Sequence, residues 1–164
     1  MELTWDIEPA FTLFGLLIRY YTVWFAALFF LGYAPIRWQL RRGGGDAADA
    51  DYIVAGALMG VLLGGRVVHV LFYQTADWLA DPTMLFDFSR GGLASHGSVA
   101  GLMFAIWAVG RWRGYGFIDL CDRISFASML APICVRMGNF FNSEIVGRPT
   151  DQTWGVRFPR HDLL

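Results

Sequence analysis

Four polar side chains follow directly after an apolar run that is long enough to cross a membrane. They are Arg136, Asn139, Asn142 and Glu144. A guanidinium presents a planar fork of donors that fits phosphate oxygens, and amide groups can hold hydroxyls. Gly147 would let the backbone turn tightly beside them. Because polar groups at the rim of a membrane are costly unless they bind something, this segment predicts a site for a phospholipid headgroup.

His96 is the candidate for proton transfer. It lies in the glycine-rich stretch 91–98, which opens a predicted helix, and Gly97 beside it would let a substrate approach closely. An unperturbed imidazole titrates near neutral pH and can accept a proton there. A lone histidine is more often structural, but the crowded glycines and the predicted position at a membrane rim favour a catalytic role.

Further polar groups interrupt the apolar segments. Tyr20 and Tyr21 follow Arg19 in the first of these segments, either as an interfacial aromatic belt or as polar tips that point toward a headgroup. Arg66 and His69 lie three residues apart, so they share a helix face. They either line a pocket or extend to the membrane interface.

The composition is that of a membrane protein. Hydrophobic residues make up 55% of the 164 residues and charged residues 16%, against roughly 25% charged in soluble domains. The net charge of −1 excludes a basic face for nucleic acid.

No Cys/His spacing predicts a metal site, and on one helix Cys121 and Cys134 would lie about 20 Å apart, too far for a disulfide. The acidic first ten residues do not resemble a cleaved signal peptide.

Four apolar segments predict an all-α fold, a single membrane domain built as a polytopic helix bundle. The predicted spans are about 11–36, 52–73, 93–110 and 117–135, followed by a polar segment on the outer face, 136–164. Small residues recur at every fourth position, which lets membrane helices pack backbone to backbone. These residues are Gly56, Gly60 and Gly64 in the second span and Gly97 and Gly101 in the third.

Two local features are predicted in and after the fourth span. Asp119 and Arg123 lie four residues apart and can form an ion pair along a helix. Pro132 is expected to kink the helix just before Arg136.

Arginine placement predicts the topology. The clusters at 37–42 and 111–113 are expected on the cytoplasmic side, and the acidic N-terminus and the aspartate-rich segment 74–90 outside. Four spans in this order place His96, Arg136 and Tyr21 toward the outer leaflet. We therefore predict that the three belong to one site.

The sequence resembles the prolipoprotein diacylglyceryl transferases of bacterial inner membranes. The family signature Gly-Arg-x-Gly-Asn-Phe-x-Asn-x-Glu-x-x-Gly matches residues 135–147 at every fixed position except the first, where Val135 stands. The resemblance runs from about residue 11 to 161. It also rests on the Gly-Gly-Leu-x-x-His-Gly motif at 91–97, on Arg19-Tyr20-Tyr21 and on Gly65-Arg66.

The resemblance implies a multi-pass enzyme of the inner membrane that moves the diacylglyceryl group of phosphatidylglycerol onto the lipobox cysteine thiol of a prolipoprotein. It implies that Arg136 binds phosphatidylglycerol and that His96 is the base or proton shuttle, with the site toward the outer leaflet. It implies a headgroup pocket formed by Tyr21, Gly97, Asn139, Asn142, Glu144 and Gly147. No metal or organic cofactor is expected, because the substrates supply both the nucleophile and the leaving group.

The resemblance stops near residues 158–161, where family members continue with an Arg-His-Pro-Ser-Gln-Leu-Tyr-Glu motif, further spans and another essential arginine. Two readings follow, a fragment of a longer protein or a truncated paralogue. The alternative function is a non-catalytic membrane module that binds phospholipid. A transporter or channel subunit has little support, because the polar residues gather at one rim and form no file across the bilayer.

Overall fold

The computed structural model describes residues 3–88 and 91–161, and most of them are helical. The helices are α1 (Tyr20–Arg42), α2 (Asp49–Tyr73), α3 (Thr75–Ala80), α4 (Ser95–Arg113), α5 (Phe117–Ser128) and α6 (Leu130–Phe141), with a 3₁₀ turn at Pro82–Phe86. The short strands are β1 (Leu3–Thr4), β2 (Ala10–Leu13), β3 (Leu16–Arg19) and β4 (Val156–Arg157). The chain forms two compact units: a central unit, Tyr33–Phe126, and a terminal unit, the described residues up to Gly32 and from Ala127 onward.

The predicted helical character is confirmed, but the terminal unit is not all-α. Strands β2 and β3 form an antiparallel hairpin in which Ala10 lies opposite Arg19. Phe14 and Gly15 connect them with φ values of 51° and 80°, the positive values that a two-residue hairpin turn favours. The first helix therefore begins at Tyr20 and not near residue 11, because a continuous apolar run does not by itself distinguish strand from helix.

The predicted fourth span, 117–135, consists of two helices. Helix α5 ends at Ser128 and α6 begins at Leu130. Pro132 lies in the first turn of α6, where its missing N–H is tolerated, whereas in a continuous helix its ring would clash with the carbonyl of Ser128. The interruption thus falls at Met129, earlier than predicted, and Arg136 lies inside α6.

Helices α2 and α4 pack antiparallel in the central unit through their glycines. Gly60 lies against Gly101 and Gly64 against Gly97, each with the backbone of its partner in contact. A Cβ at Gly97 would also lie 2.6 Å from Cβ of Val68, closer than real Cβ atoms approach. The small-residue spacing therefore predicted a real helix contact, and side chains at these positions would force the helices apart.

The end of α4 is joined to the start of α2 by a buried carboxylate. Arg113 donates through Nε to Oδ1 of Asp49 at 2.6 Å, and Asp49 is 3% exposed. The Tyr115 hydroxyl donates to Oδ2 of Asp49 at 2.6 Å and accepts from the amide of Asp46 at 3.1 Å. Burial, followed by the hydrogen bond to Asp49, raises the pKa of Tyr115.

The end of α1 is held at the same end of the central unit by α5. Arg123 donates to the carbonyl oxygen of Gln39 at 3.2 Å, which also accepts from the amide of Gly43 at 3.0 Å, and to the carbonyl oxygen of Gly43 at 3.2 Å. It also forms the predicted ion pair with Asp119, at 2.9 Å. The arginine clusters at 37–42 and 111–113 are thus the last turns of two helices, not loops, and they share one end of this unit.

Within the described part of the chain, α2 alone is long and apolar enough to cross a membrane by length and composition. Its observed bounds, Asp49–Tyr73, nearly reproduce the predicted span 52–73. Helix α4 begins at Ser95, two residues after the start of the predicted span 93–110, and continues to Arg113. Four membrane spans remain a prediction.

Candidate functional site

The signature segment folds as the C-terminal turn of α6. The amide of Ser143 donates to the carbonyl of Phe140 at 3.2 Å, and that of Glu144 donates to the carbonyl of Asn139 at 2.9 Å. Ser143 has a φ of 57°. This pairing, with a left-handed residue directly after the helix, is the Schellman motif, and it reverses the chain so that Glu144 returns toward Asn139.

The residues that follow Glu144 include two with positive φ. Ile145 has a φ of 53° and Gly147 a φ of 94°. A β-branched residue such as isoleucine rarely adopts positive φ, and such residues cost on the order of 1–3 kcal/mol and concentrate at binding sites. A Cβ at Gly147 would meet nothing within 4 Å, so glycine is needed there for its backbone conformation and not for space.

An open cavity of about 430 Å³ lies beside this turn, entirely within the terminal unit. Its size is at the lower end of the range for small-molecule sites, roughly 300–1,000 Å³. Its polar lining includes Arg136, Asn139, Glu144 and Arg148, and its aromatic lining consists of Phe140, Trp154 and Phe158. The cavity can therefore hold a small polar group that carries negative charge.

Arg136 projects from α6 at an exposed position on this cavity. Between its guanidinium and the described residues there is no hydrogen bond or ion pair. Asn139, three residues along the helix, is 7% exposed and also lines the cavity. The predicted combination of a guanidinium and an amide is thus present on one wall.

Two buried side-chain oxygens in the turn lack a partner among the described residues. They are Oδ1 of Asn142 and Oγ of Ser143. The amide nitrogen of Asn142 contacts Oε1 of Glu144 at 3.4 Å. A buried polar atom without a partner costs about 1–3 kcal/mol, so the turn carries unused hydrogen-bonding capacity beside the cavity.

Tyr21 packs against α6 at Gly138, a fixed glycine of the signature that lies directly before Asn139. A Cβ at Gly138 would lie 2.7 Å from Cδ2 of Tyr21, so the ring occupies the space that a side chain would fill. Tyr21 is not among the residues that line the cavity. Its observed contact is with α6 itself.

An aromatic cluster supports the end of α6. The ring of Trp5 lies 4.5 Å from that of Phe140 and 5.3 Å from that of Phe141. Tyr20 contacts Phe141 at 4.8 Å, and Phe158 contacts Phe140 at 5.4 Å. Aromatic pairs contribute about 0.5–1.5 kcal/mol each beyond burial, so the cluster helps to fix the helix that carries Arg136.

The N-terminal segment is tied to the far end of the described chain. Strand β1 pairs in parallel with β4, with Leu3 opposite Val156. Arg160 forms ion pairs with Asp6 at 3.0 Å and Glu8 at 2.7 Å. Sequence analysis did not identify this support, because pairing across so many residues leaves no local signal.

His96 is the second residue of α4, in the central unit, and is exposed. No hydrogen bond to its imidazole is present among residues 3–88 and 91–161. The start of its helix is anchored to α2, since the amide of Ala94 donates to the carbonyl of Gly65 at 3.0 Å and Oγ of Ser98 donates to that of Val61 at 3.1 Å.

Arg66 anchors the segment that leads to His96. Its side chain is 1% exposed, and its guanidinium donates to the carbonyl oxygens of Gly91 at 2.5 Å, Met84 at 2.6 Å and Asp87 at 2.7 Å. The expectation that Arg66 lines a pocket or extends to the interface is therefore wrong. Backbone carbonyls satisfy a buried charge that would otherwise be very costly.

The family comparison agrees with the signature. The family model described as prolipoprotein diacylglyceryl transferase matches residues 8–164 of this chain.

The chain belongs to this family.

Individual relatives are named phosphatidylglycerol–prolipoprotein diacylglyceryl transferases. The chain is 35% identical to the one from Tolumonas auensis, over 99% of this chain and 64% of the relative. It is 36% identical to that from Chloroherpeton thalassium, over 98% of the chain and 60% of the relative. It is also 36% identical to that from Porphyromonas gingivalis, over 98% of the chain and 58% of the relative. The chain thus spans about three-fifths of the length of these relatives.

The residues predicted for the family site fall in both units. The terminal unit holds Tyr21, Arg136, Asn139, Asn142, Glu144 and Gly147, whereas the central unit holds His96 and Gly97. The common site for His96 and Arg136 stays a prediction. Gly97 is buried against Gly64 and Val68 of α2, so helix packing accounts for its small size, and its place in the headgroup pocket stays a prediction.

Sequence analysis missed Arg148 as a cavity residue. It follows the last fixed glycine of the signature, and its position in the cavity depends on the turn that precedes it. In the described residues no cluster of three or more His, Cys, Asp or Glu side chains could hold a metal.

Proposed function

We propose that this chain binds phosphatidylglycerol through its headgroup phosphate and transfers the diacylglyceryl group to the lipobox cysteine thiol of a prolipoprotein. The observation that carries the proposal is the cavity at the signature turn. There Arg136 has no ion pair within the described chain, and the amide of Asn139 lies on the same wall. An unpaired arginine beside amide groups is suited to a phosphate with hydroxyl-bearing substituents.

The reaction is a substitution at the glyceryl carbon that bears the phosphate. The acceptor thiol loses its proton, because the thiolate is the effective nucleophile. A sulfur–carbon bond forms, the carbon–oxygen bond to phosphate breaks, and glycerol-1-phosphate leaves with the bonding electrons. His96 takes the thiol proton, and Arg136 stabilises the charge that grows on the leaving phosphate.

We propose an inner-membrane protein in which α1, α2, α4 and the α5–α6 pair each span the bilayer, with the cavity toward the outer leaflet. Large apolar side chains exposed on the helices support this arrangement. Phe30 is 82% exposed, Phe72 76% and Phe104 67%. Large apolar side chains that are mostly exposed on several helices are expected where the helices face lipid or a partner. The family membership and the arginine-rich helix ends also support it.

The test measures lipid binding and transfer separately. The purified chain in nanodiscs is titrated with phosphatidylglycerol or phosphatidylcholine, then incubated with a lipobox peptide whose cysteine is followed by mass spectrometry. We expect selective phosphatidylglycerol binding and the addition of one diacylglyceryl group. Binding without transfer would favour the non-catalytic lipid-binding module, and no selective binding would contradict both functions.

Arg136 variants test the headgroup contact. We expect Arg136→Ala to abolish transfer and Arg136→Lys to recover little of it, because a point charge cannot replace the bidentate fork. The matched control is Arg111→Ala, which removes an exposed arginine of α4 and should leave transfer unchanged. Full activity in Arg136→Lys would exclude a bidentate phosphate contact.

A further inference from the structure

We propose that Arg148 is a second phosphate-binding arginine and that it acts mainly on the phosphate monoester that leaves. This inference rests on the proposed function and deepens it by dividing the phosphate contacts between two arginines. Arg136 would hold the lipid phosphate throughout the reaction. Arg148 would add the charge needed once the phosphate is released from the lipid.

The first observation is that Arg148 shares the cavity with Arg136. Both side chains line the same space of about 430 Å³, together with Asn139 and Thr150. The only carboxylate in this lining is Glu144, so the charged side chains around the cavity sum to +1. A cavity with this charge attracts an anion.

The second observation is that Arg148, like Arg136, lacks an ion pair or hydrogen bond with any described residue. Several other arginines of the chain have such partners. Arg66 contacts backbone carbonyls, Arg113 contacts Asp49, and Arg160 contacts carboxylates near the N-terminus. Among the described residues, Arg19, Arg41, Arg42, Arg111 and Arg157 also lack such a partner, but none of them lines this cavity. Both arginines that do line it are unpaired, which is the arrangement of an unliganded anion site.

The third observation is the backbone that presents Arg148. Gly147, directly before it, has a φ of 94°, and Ile145 has a φ of 53°. Positive φ is ordinary for glycine in a turn, but it is rare for a β-branched residue such as Ile145. The segment accepts local backbone strain and thereby carries Arg148 to the cavity, as is common where a binding group must be positioned.

The charge of the reacting phosphate explains the need for two arginines. A phosphodiester such as the lipid headgroup carries one negative charge, and a phosphate monoester carries about −1.5 to −2 at neutral pH. Cleavage of the carbon–oxygen bond therefore adds roughly one negative charge in the cavity. A second guanidinium favours the later state over the earlier one, which is the condition for accelerating the step.

The test compares Arg148→Gln with the matched control Arg157→Gln. Arg157 is an exposed arginine of the same unit that lines a neighbouring cavity, which Arg148 also borders, but not the cavity of Arg136. Binding of glycerol-1-phosphate, inorganic phosphate and phosphatidylglycerol nanodiscs is measured by calorimetry for each variant. We expect Arg148→Gln to weaken monoester binding about tenfold or more, since a charged hydrogen bond is lost, and lipid binding less than about threefold. Arg148→Lys should lie between Arg148→Gln and the wild-type chain.

The kinetic arm separates this inference from the proposed function. In Arg148→Gln we expect kcat to fall while KM for phosphatidylglycerol changes little. If the wild-type chain transfers lipid but Arg148→Gln matches it in kcat and monoester binding, the inference fails and the function stands. If monoester binding depends on Arg148 but the wild-type chain neither binds nor transfers lipid, the function fails and the two-arginine site stands. Equal losses in Arg157→Gln would overturn the inference by showing a general charge effect.

Discussion

At the scale of single residues, the arginines of this chain divide by what their guanidinium groups contact. Arg66 is buried and donates to carbonyl oxygens of the segment before His96. Arg136 and Arg148 face a cavity without a partner among the residues described. An arginine whose donors are saturated supports the fold, and one whose donors are free is available for a ligand.

Arg66→Met is expected to loosen the connection between α2 and α4. The substitution removes the hydrogen bonds that the guanidinium donates to the carbonyls of Met84, Asp87 and Gly91, and hydrogen bonds to charged groups contribute roughly 1.5–3 kcal/mol each. Limited proteolysis should cleave the 74–92 segment faster in this variant than in an Arg111→Met control. Equal cleavage rates would show that Arg66 does not hold the segment.

Opposite changes are expected from two substitutions in the α6 turn. Ser143→Gly should raise the free energy of unfolding by up to about 1 kcal/mol, because Ser143 has positive φ and a buried hydroxyl without a described partner. Gly147→Ala should lower the free energy of unfolding by about 1–2 kcal/mol, because an alanine is disfavoured at the positive φ of this position. Thermal unfolding in detergent measures both, and a destabilised Ser143→Gly would indicate a hydroxyl contact that the turn needs.

At the scale of elements, the contact between α2 and α4 determines the position of His96. The glycines of the two helices meet backbone to backbone, and His96 lies beside Gly97 at the start of α4. Because the two backbones are in direct contact, α4 cannot shift toward α2, and the contact with α2 fixes the start of α4.

Gly101→Ala is expected to disrupt this contact, whereas Gly116→Ala should be tolerated. At Gly101 a new Cβ would collide with the backbone of Gly60, but at Gly116 the nearest atom, Cβ of Asp119, would be 3.9 Å away. Overpacking typically costs about 1–3 kcal/mol. Thermal unfolding in detergent should therefore show a clear loss for the first variant only, and similar melting of the two would contradict the packing.

The elements that sequence analysis predicted are those whose signal is local. The four-residue spacing of Gly60 and Gly64 can be recognised within one predicted helix, and that of Gly97 and Gly101 within another. The β2–β3 hairpin was missed, because an apolar run suits strand and helix alike.

Longer-range features were missed for a related reason. The role of Arg66 depends on carbonyls 18 to 26 residues further along the chain. Arg136, Asn139 and Glu144 were predictable as cavity residues from type and spacing, whereas Arg148 was not, because only the folded turn brings it there.

At the scale of the whole molecule, charge is distributed between the two ends of the central unit. At one end Arg113 of α4 pairs with Asp49, and the last turn of α1 carries Arg41 and Arg42. The segment that contains Asp77 and Asp81 lies at the opposite ends of α2 and α4. Positive charge on one side of a bilayer is the usual determinant of orientation.

Cysteine labelling tests the proposed orientation. In a background in which Cys121 and Cys134 are replaced by alanine, Ala76→Cys should react with a membrane-impermeant maleimide added to intact spheroplasts. Ala48→Cys should react only after permeabilisation, because it lies at the arginine-rich end. Both positions are exposed. The reverse pattern would place the arginine-rich end outside and contradict the proposed topology.

The pairing of β1 with β4 sets an order of events during synthesis. Leu3 leaves the ribosome about 150 residues before its partner Val156, which at 5–20 residues per second corresponds to roughly 8–30 seconds. Until then β1 has no partner strand, and Asp6 and Glu8 do not yet have Arg160 to pair with, so the segment that packs on Phe140 through Trp5 is not anchored. Anchoring of the N-terminal segment therefore waits until the residues around 156–160 have been synthesised.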